Sequence, residues 1–114
     1  ARLISFASGD ERLATIMRMK EYEFSSPRRT VTLHNTNHLV GSDVDVRGGK
    51  TGFISKSGYC LATLLRLPQG DQVAVVVLGA KSNPARFWET RHLFNWLASK
   101  TPSLLATQAS DQQE

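Results

Sequence analysis

The fold of this chain is decided by residues 44–78, which read VDVRGGKTGFISKSGYCLATLLRLPQGDQVAVVVL. Polar and apolar residues alternate at the start of this stretch, and its end is the nearly continuous apolar run Val73–Leu78, as is typical of β-strands. Two clusters of turn-forming residues, at 55–58 and 68–71, divide the stretch. The stretch therefore predicts a three-stranded antiparallel meander, with strands over 44–54, 59–67 and 72–78.

A helix is predicted before the meander. Leu13, Ile16 and Met17 recur at near-helical spacing, with charged residues between them, which predicts a helix over Gly9–Glu21. The segment Thr30–His34 then alternates polar and apolar residues and predicts a short extended stretch.

A second helix is predicted after the meander, with Asn83 as its N-cap and Pro84 at the first helical position. Its apolar residues share one face that can cover one side of the sheet, namely Phe87, Phe94, Leu97 and Ala98. We expect this helix to end before Pro102 and the polar residues 101–114 to form a flexible tail. The predicted fold class is α+β, with one domain over residues 1–100.

The composition argues against several classes of protein. The chain has 114 residues, a formal net charge of +4 and one cysteine. Its basic residues are dispersed and match no recognised motif, so we expect no nucleic-acid binding. No apolar run approaches the roughly 18 residues of a membrane span. The three histidines lack a cysteine or carboxylate cluster at ligand spacing, so we expect neither a metal nor another cofactor.

The triplet Lys50-Thr51-Gly52 lies on the first predicted strand of the meander and is surrounded by further motifs. In chain order these are Asn35-Thr36-Asn37-His38-Leu39, Val44-Asp45, Phe53 directly after the triplet, Ser57-Gly58-Tyr59-Cys60-Leu61, Val75–Ala80, Arg86 and Leu93-Phe94-Asn95-Trp96. In order and spacing they resemble the C-terminal part of the serine D-alanyl-D-alanine carboxypeptidases, the low-molecular-mass penicillin-binding proteins. The resemblance implies part of a β-lactamase/transpeptidase-like catalytic fold.

The same resemblance implies a role for five residues. Lys50 would supply a positive charge and Thr51 a hydroxyl donor near the free carboxylate that ends the substrate. Gly52 has no side chain, so an extended peptide could pair with the strand edge. The backbone N–H of Phe53 would be a donor of the oxyanion hole, and Arg86 would help to hold the substrate carboxylate.

The chain departs from the family pattern where the nucleophile is concerned. The family carries its serine in Ser-x-x-Lys and has a second motif, Ser-x-Asn, but no serine here has lysine three positions on or asparagine two positions on. We expect the chain to begin downstream of both motifs, with a trimmed or fragmentary start at Ala1, and to be inactive alone. Thr36 stands where the family pattern has arginine, which weakens any role carried over to that loop.

The resemblance also implies partners. In the complete enzyme the ligand would be a peptidoglycan stem peptide or a β-lactam, in a periplasmic or other extracytoplasmic setting, and a peptidase, an esterase and a lactamase all stay open. The alternative is a catalytically inactive remnant that self-associates or binds a partner, because Val73–Leu78 would be an exposed apolar edge. We therefore expect a homo-oligomer, a strand-swapped assembly, or pairing with the missing N-terminal half.

Overall fold

In the computed structural model of the chain, the backbone is described over residues 1–112 and the side chains over residues 1–100. The elements follow in the order α1 (Arg2–Ser8), α2 (Glu11–Arg18), β1 (Glu21–Ser25), β2 (Thr30–His34), β3 (Asp45–Ile54), β4 (Gly58–Arg66), β5 (Gln72–Ala80) and α3 (Asn83–Gln112). Strands β3, β4 and β5 form one antiparallel sheet in that order, and β1 and β2 form a separate hairpin. The predicted α+β class, with its three-stranded meander, is confirmed.

The core lies between the sheet and α3. Alternate side chains of a strand point to opposite faces, and Leu61, Thr63 and Leu65 of β4 point inward and are completely buried. The apolar face of α3 packs against β4 and β5 and buries Phe87 and Phe94. Helix α3 therefore covers one face of the sheet.

The opposite face of the sheet is covered only in part. Helix α1 contacts all three strands and buries Ile4, while α2 packs against β3 and buries Ala14. On β5 the alternate residues Val76 and Leu78 point to this side, and Leu78 remains 76% exposed. The apolar side chains of Val76 and Leu78 therefore face solvent on this side of the sheet.

The N-terminal third differs from its prediction. The helix predicted over Gly9–Glu21 is shorter, because Asp10 caps α2 by accepting from the N–H groups of Arg12 and Leu13 and the chain turns into a strand at Glu21. Strand β1 and helix α1 were not predicted. All five residues of β1 are exposed, so the strand has no buried apolar face that a sequence pattern could reveal.

Helix α3 also differs at both ends. Its N-terminus is capped by Ser82, whose hydroxyl accepts from the N–H of Ala85, so the predicted N-cap at Asn83 is wrong by one residue. The helix continues to Gln112, and the predicted end before Pro102 is wrong, since the helical backbone passes through this proline although an internal proline disfavours a helix. The predicted flexible tail over 101–114 lies outside the residues whose side chains are described and stays a prediction.

Among the residues that the structure describes, none of the helices combines the length and the hydropathy that a membrane-spanning segment requires.

Candidate active site

The Lys50-Thr51-Gly52 triplet lies at a free edge of the sheet. Within the described residues β3 pairs with β4 alone, and Gly52 stands opposite Cys60 in that pairing. Lys50 is exposed and Thr51 is half-buried. An edge of this kind presents unpaired backbone groups to an incoming extended chain.

The ammonium group of Lys50 lies over its own strand. Its Nζ donates to the backbone carbonyl of Thr51 at 2.6 Å. A lysine ammonium has three donors, so two of them face solvent or a ligand in this position. The positive charge of the triplet therefore lies over the Thr51 peptide group, on an exposed side chain.

The hydroxyl of Thr51 meets a second hydroxyl from the loop that precedes β3. The Oγ atoms of Thr36 and Thr51 are 2.6 Å apart, a hydrogen bond in which either can donate. Thr36 stands where the family pattern has arginine, so the sequence predicts no role for it. The structure nevertheless brings it into direct contact with the triplet, so the site has two hydroxyls side by side.

Two asparagines fix that loop. The side-chain amide of Asn35 donates to the carbonyls of Met17 at 2.9 Å and Met19 at 2.7 Å, which ties the loop to the end of α2. The side-chain carbonyl of Asn35 accepts from the N–H of Asn37, and that of Asn37 accepts from the N–H of Leu39. The loop is thus pinned at two points on either side of Thr36.

Glycines before the triplet let the loop and the helices approach the strand. A Cβ added at Gly49 would lie 2.7 Å from Nδ2 of Asn37 and 3.0 Å from Oγ1 of Thr63, and one added at Gly48 would overlap the hydroxyl of Ser8. Gly52 is different, because a Cβ added there would meet nothing within 4 Å. The space on the sheet face above Gly52 is therefore open, whereas at Gly48 and Gly49 neighbouring atoms occupy the corresponding space.

Phe53 follows the triplet and is anchored by its ring. The ring stacks on that of Tyr59, with centroids 4.2 Å apart and an interplanar angle of 22°. Phe53 and Tyr59 are also register partners across β3 and β4. The backbone N–H of Phe53 therefore belongs to a residue whose side chain is held in place.

Arg86 approaches the triplet from behind. Its side chain is buried, and its Nη1 donates to the carbonyls of Gly52 at 3.2 Å and Cys60 at 3.3 Å. Its Nη2 donates to the side-chain carbonyl of Asn83. The predicted contact of Arg86 with a substrate carboxylate stays a prediction, and the structure shows Arg86 in contact with the backbone of β3 and β4.

A cleft of about 300 Å³ opens beside the triplet. Its polar wall consists of residues of the loop and β3, and its apolar wall comes from α2 and the β1–β2 hairpin. The residues concerned are Thr36, Asn37, Lys50 and Thr51 on the polar wall and Ile16, Met17, Met19, Tyr22 and Leu33 on the apolar wall. Such a cleft suits a ligand with a charged end and an apolar body.

The three histidines lie in three different places. His34 is 3.6 Å from the carboxylate of Glu21, His38 stacks on Phe87, and His92 lies against Trp88. These positions are consistent with ordinary structural roles.

The three-stranded sheet, the helices that cover it and the Lys-Thr-Gly motif on its edge strand define part of a domain with the β-lactamase/transpeptidase-like fold. The comparison with known proteins identifies the family: residues 4–82 match the D-alanyl-D-alanine carboxypeptidase family, peptidase family S11. The chain belongs to this family, and the prediction of a low-molecular-mass penicillin-binding protein is confirmed.

Two relatives come from Escherichia coli (strain K12). One is a D-alanyl-D-alanine endopeptidase, 35% identical over 75 residues, with 65% of this chain and 24% of that protein covered. The other is the D-alanyl-D-alanine carboxypeptidase DacC, 37% identical over 83 residues, with 71% and 19% covered.

Solved structures of DD-transpeptidases and penicillin-binding proteins have the same fold as this chain. The Streptomyces K15 DD-transpeptidase superposes with a TM-score of 0.72 at 30% identity, covering 81% of this chain and 37% of that one. Penicillin-binding protein D2 from Listeria monocytogenes, in its cefotaxime-bound form, has a TM-score of 0.64 over 84% of this chain and 37% of its own, and at 24% identity it supports the fold alone. The chain thus spans about a quarter or less of the curated relatives and 37% of these solved chains.

Proposed function

We propose that this chain supplies the substrate-binding strand of a serine D-Ala-D-Ala peptidase that acts on peptidoglycan stem peptides. The observation that carries the proposal is the open β3 edge, where the charge of Lys50 and the paired hydroxyls of Thr51 and Thr36 lie beside a side-chain-free Gly52. Because its substrate is cell-wall peptide, we place this function outside the cytoplasmic membrane.

Each residue of the site has a separate role in the proposed binding. The Lys50 ammonium attracts the carboxylate that ends the stem peptide, and the Thr51 hydroxyl donates to it. The peptide lies along the edge at Gly52, where no side chain obstructs it. The N–H of Phe53 donates to the oxygen that becomes negative during acyl transfer, an interaction worth about 3 kcal/mol in the transition state.

The nucleophile has to come from a segment other than these 114 residues, because none of their serines lies in a Ser-x-x-Lys motif. The chain is then the fragment of a catalytic domain that contributes the substrate strand, and β-lactams are ligands of the complete site. A peptidase, an esterase and a lactamase would all use this strand in the same way.

We also propose that β5 is the edge at which this chain associates. In the described part of the chain β5 pairs only with β4, and its residues Val76 and Leu78 are exposed beside that free edge. A second copy, a swapped strand or the remaining part of a family domain would cover these groups. Light scattering at rising protein concentration should show an oligomer, and a monomer at every concentration would contradict self-association.

The binding proposal is tested by NMR titration of the full chain with an acetylated D-Ala-D-Ala peptide. We expect residue-specific shifts at Thr51, Gly52 and Phe53. Replacing the terminal carboxylate by an amide, or making Lys50→Met, should each weaken binding at least about tenfold, since each removes one partner of a charge-assisted hydrogen bond. The matched control is Lys56→Met in the following turn.

Two results would count against the proposal. One is the absence of chemical-shift changes along β3 in the titration. The other is equal affinity for the D-Ala-D-Ala peptide, for the corresponding L-Ala-L-Ala peptide and for the D-Ala-D-Ala peptide that ends in an amide. Incubation with a labelled penicillin should give no covalent mass gain in this chain alone. A stoichiometric adduct would refute the statement that the nucleophile lies elsewhere.

A further inference from the structure

The cleft beside the triplet is larger than the side chain of the residue that the proposed function places next to it. In that proposal the terminal carboxylate of the ligand lies at Lys50 and Thr51, and the carbonyl that is attacked lies at the N–H of Phe53. The last residue of the ligand therefore lies beside the cleft of about 300 Å³ that Lys50 and Thr51 line. The methyl group of an alanine is about as large as a water molecule, which occupies about 30 Å³ in the liquid. Alanine would therefore leave most of the cleft to solvent.

One wall of the cleft is apolar and accessible. Ile16 of α2 and Tyr22 and Leu33 of the β1–β2 hairpin contribute to this wall, and each is more than half exposed. Tyr22 and Leu33 are register partners, so their side chains lie next to each other on one face of the hairpin. A chain of methylene groups placed against this wall would remove apolar surface from water, which favours binding.

The hairpin end of the cleft also carries a carboxylate. Glu21 lines the cleft, and its side chain is 62% exposed. The partner that the described residues offer it is His34, whose Nδ1 lies 3.6 Å from Oε2 of Glu21. That distance exceeds the roughly 2.7–2.9 Å of a charge-assisted hydrogen bond. The carboxylate of Glu21 therefore keeps its capacity to accept from a further donor.

The two ends of the cleft carry opposite charges. Among the described residues that line it, Lys50 at the triplet is the one lysine or arginine, and Glu21 at the hairpin is the one acidic residue. The apolar wall lies in the same cleft. A complementary ligand has a carboxylate at one end, a cation at the other and methylene groups between them.

We propose that this cleft is a subsite for the side chain of the ligand's last residue, and that it selects a long side chain ending in an ammonium group, as in D-lysine. The methylene groups lie along Ile16, Tyr22 and Leu33, and the ammonium group donates to Glu21. The proposal rests on the proposed function for the position of the terminal carboxylate, and it leaves the contacts of that carboxylate unchanged.

The test is an NMR titration of the full chain with three acetylated peptides, which end in D-Ala-D-Ala, D-Ala-D-norleucine and D-Ala-D-lysine. Norleucine has a straight apolar side chain of nearly the length of lysine, so it reports on the apolar wall alone. It should bind at least about threefold more tightly than alanine, because its additional methylene groups leave water. Lysine should bind about threefold to fivefold more tightly than norleucine, as expected for an exposed ion pair.

Four variants separate the carboxylate from the apolar wall. Glu21→Gln should reduce the affinity for the lysine peptide to that for the norleucine peptide, whereas Glu23→Gln, on the same exposed strand but outside the cleft, should keep the preference for lysine. Ile16→Ser should reduce the advantage of both long side chains over alanine, whereas Leu13→Ser, one turn earlier on α2 and outside the cleft, should not. All four residues are exposed, so we expect the variants to fold.

The possible failures can be told apart. Equal affinity for the three peptides, with chemical-shift changes along β3 in every titration, would overturn the subsite and leave the proposed function standing. A preference for lysine that survives Glu21→Gln would also overturn the subsite. If no peptide changes the spectrum along β3, the proposed function is refuted and the subsite with it.

Discussion

Alanine at two glycines of the same strand should have opposite effects. At Gly49 the new methyl group would lie 2.7 Å from Nδ2 of Asn37, whereas such contacts settle at about 3.5 Å, so one partner must move by roughly 0.8 Å. Asn37 and Thr63 resist this movement because both are buried and bonded, Asn37 to the N–H of Leu39 and Thr63 to the carbonyl of Gly48. At Gly52 the methyl group meets nothing within 4 Å.

The size of each effect follows from these distances. Overpacking of a buried site lowers the free energy of unfolding by about 1–3 kcal/mol. Replacing glycine by alanine, where the backbone conformation suits alanine, raises it by about 0.4–1 kcal/mol, because the unfolded chain has fewer accessible conformations. Neither Gly49 nor Gly52 has a positive φ, so this gain applies to both. Gly49→Ala should therefore lose about 1–2 kcal/mol of unfolding free energy, and Gly52→Ala should lose none.

Ligand binding should respond in the reverse order. Gly52→Ala places a methyl group on the sheet face next to the β3 edge, where it would crowd a peptide paired there, so the D-Ala-D-Ala peptide should bind at least about tenfold more weakly. Gly49→Ala, measured below its unfolding transition, should bind with nearly wild-type affinity, because Gly49 faces the interior.

Urea unfolding followed by circular dichroism gives the stabilities, and NMR titration gives the affinities. With the slope of about 1–3 kcal/mol per molar urea that is usual for small proteins, the Gly49→Ala midpoint should fall by roughly 0.5–1 M at an unchanged slope. Wild-type stability of Gly49→Ala would refute the packing reasoning. Wild-type affinity of Gly52→Ala would refute pairing at the edge.

Two further perturbations test the surroundings of the site. Thr36→Val removes the hydroxyl partner of Thr51 and should weaken peptide binding about threefold to tenfold with little change of stability, whereas Thr36→Ser should bind as wild type. Arg91 holds the pKa of Asp43 below its ordinary value of 3.8 through a hydrogen bond and its charge. The stabilising contribution of the ionised carboxylate is therefore complete above that ordinary value and is lost as the pH falls through the lowered pKa. The difference in melting temperature between wild type and Asp43→Asn should shrink between about pH 7 and pH 2, and a constant difference would contradict the pairing.

The sequence predicted the strands and the long helix that have a buried face, and it also predicted β2 (Thr30–His34) from its alternation although most of its residues are exposed. Strands β3, β4 and β5 were predicted because alternation and apolar runs record which side chains enter the core. The hairpin strand β1 was missed because its residues are all exposed, and α1 was missed because a helix of seven residues has too few turns to show a period.

The candidate site also has a part that could be predicted from the sequence and a part that could not. The triplet was predicted as a site because it stands within the motifs of the family resemblance. The contact between Thr36 and Thr51 could not be predicted, because it joins residues 15 positions apart and no local sequence pattern indicates it. Arg86 was identified as a site residue, yet its burial against Gly52, 34 positions away, depends on how α3 packs behind the sheet. Contacts of this kind are set by tertiary structure, which a linear pattern does not record.

The two edges of the sheet are suited to different partners. The β3 edge carries Gly48, Gly49 and Gly52 with a lysine among them, and glycine and lysine disfavour a long self-pairing strand while still admitting a short peptide. The β5 edge carries the apolar run Val73–Leu78, which lacks both charge and proline and is the kind of edge that associates strongly. Self-association and peptide binding should therefore occur at opposite sides of β4, so that an oligomer formed through β5 leaves the Lys-Thr-Gly edge free.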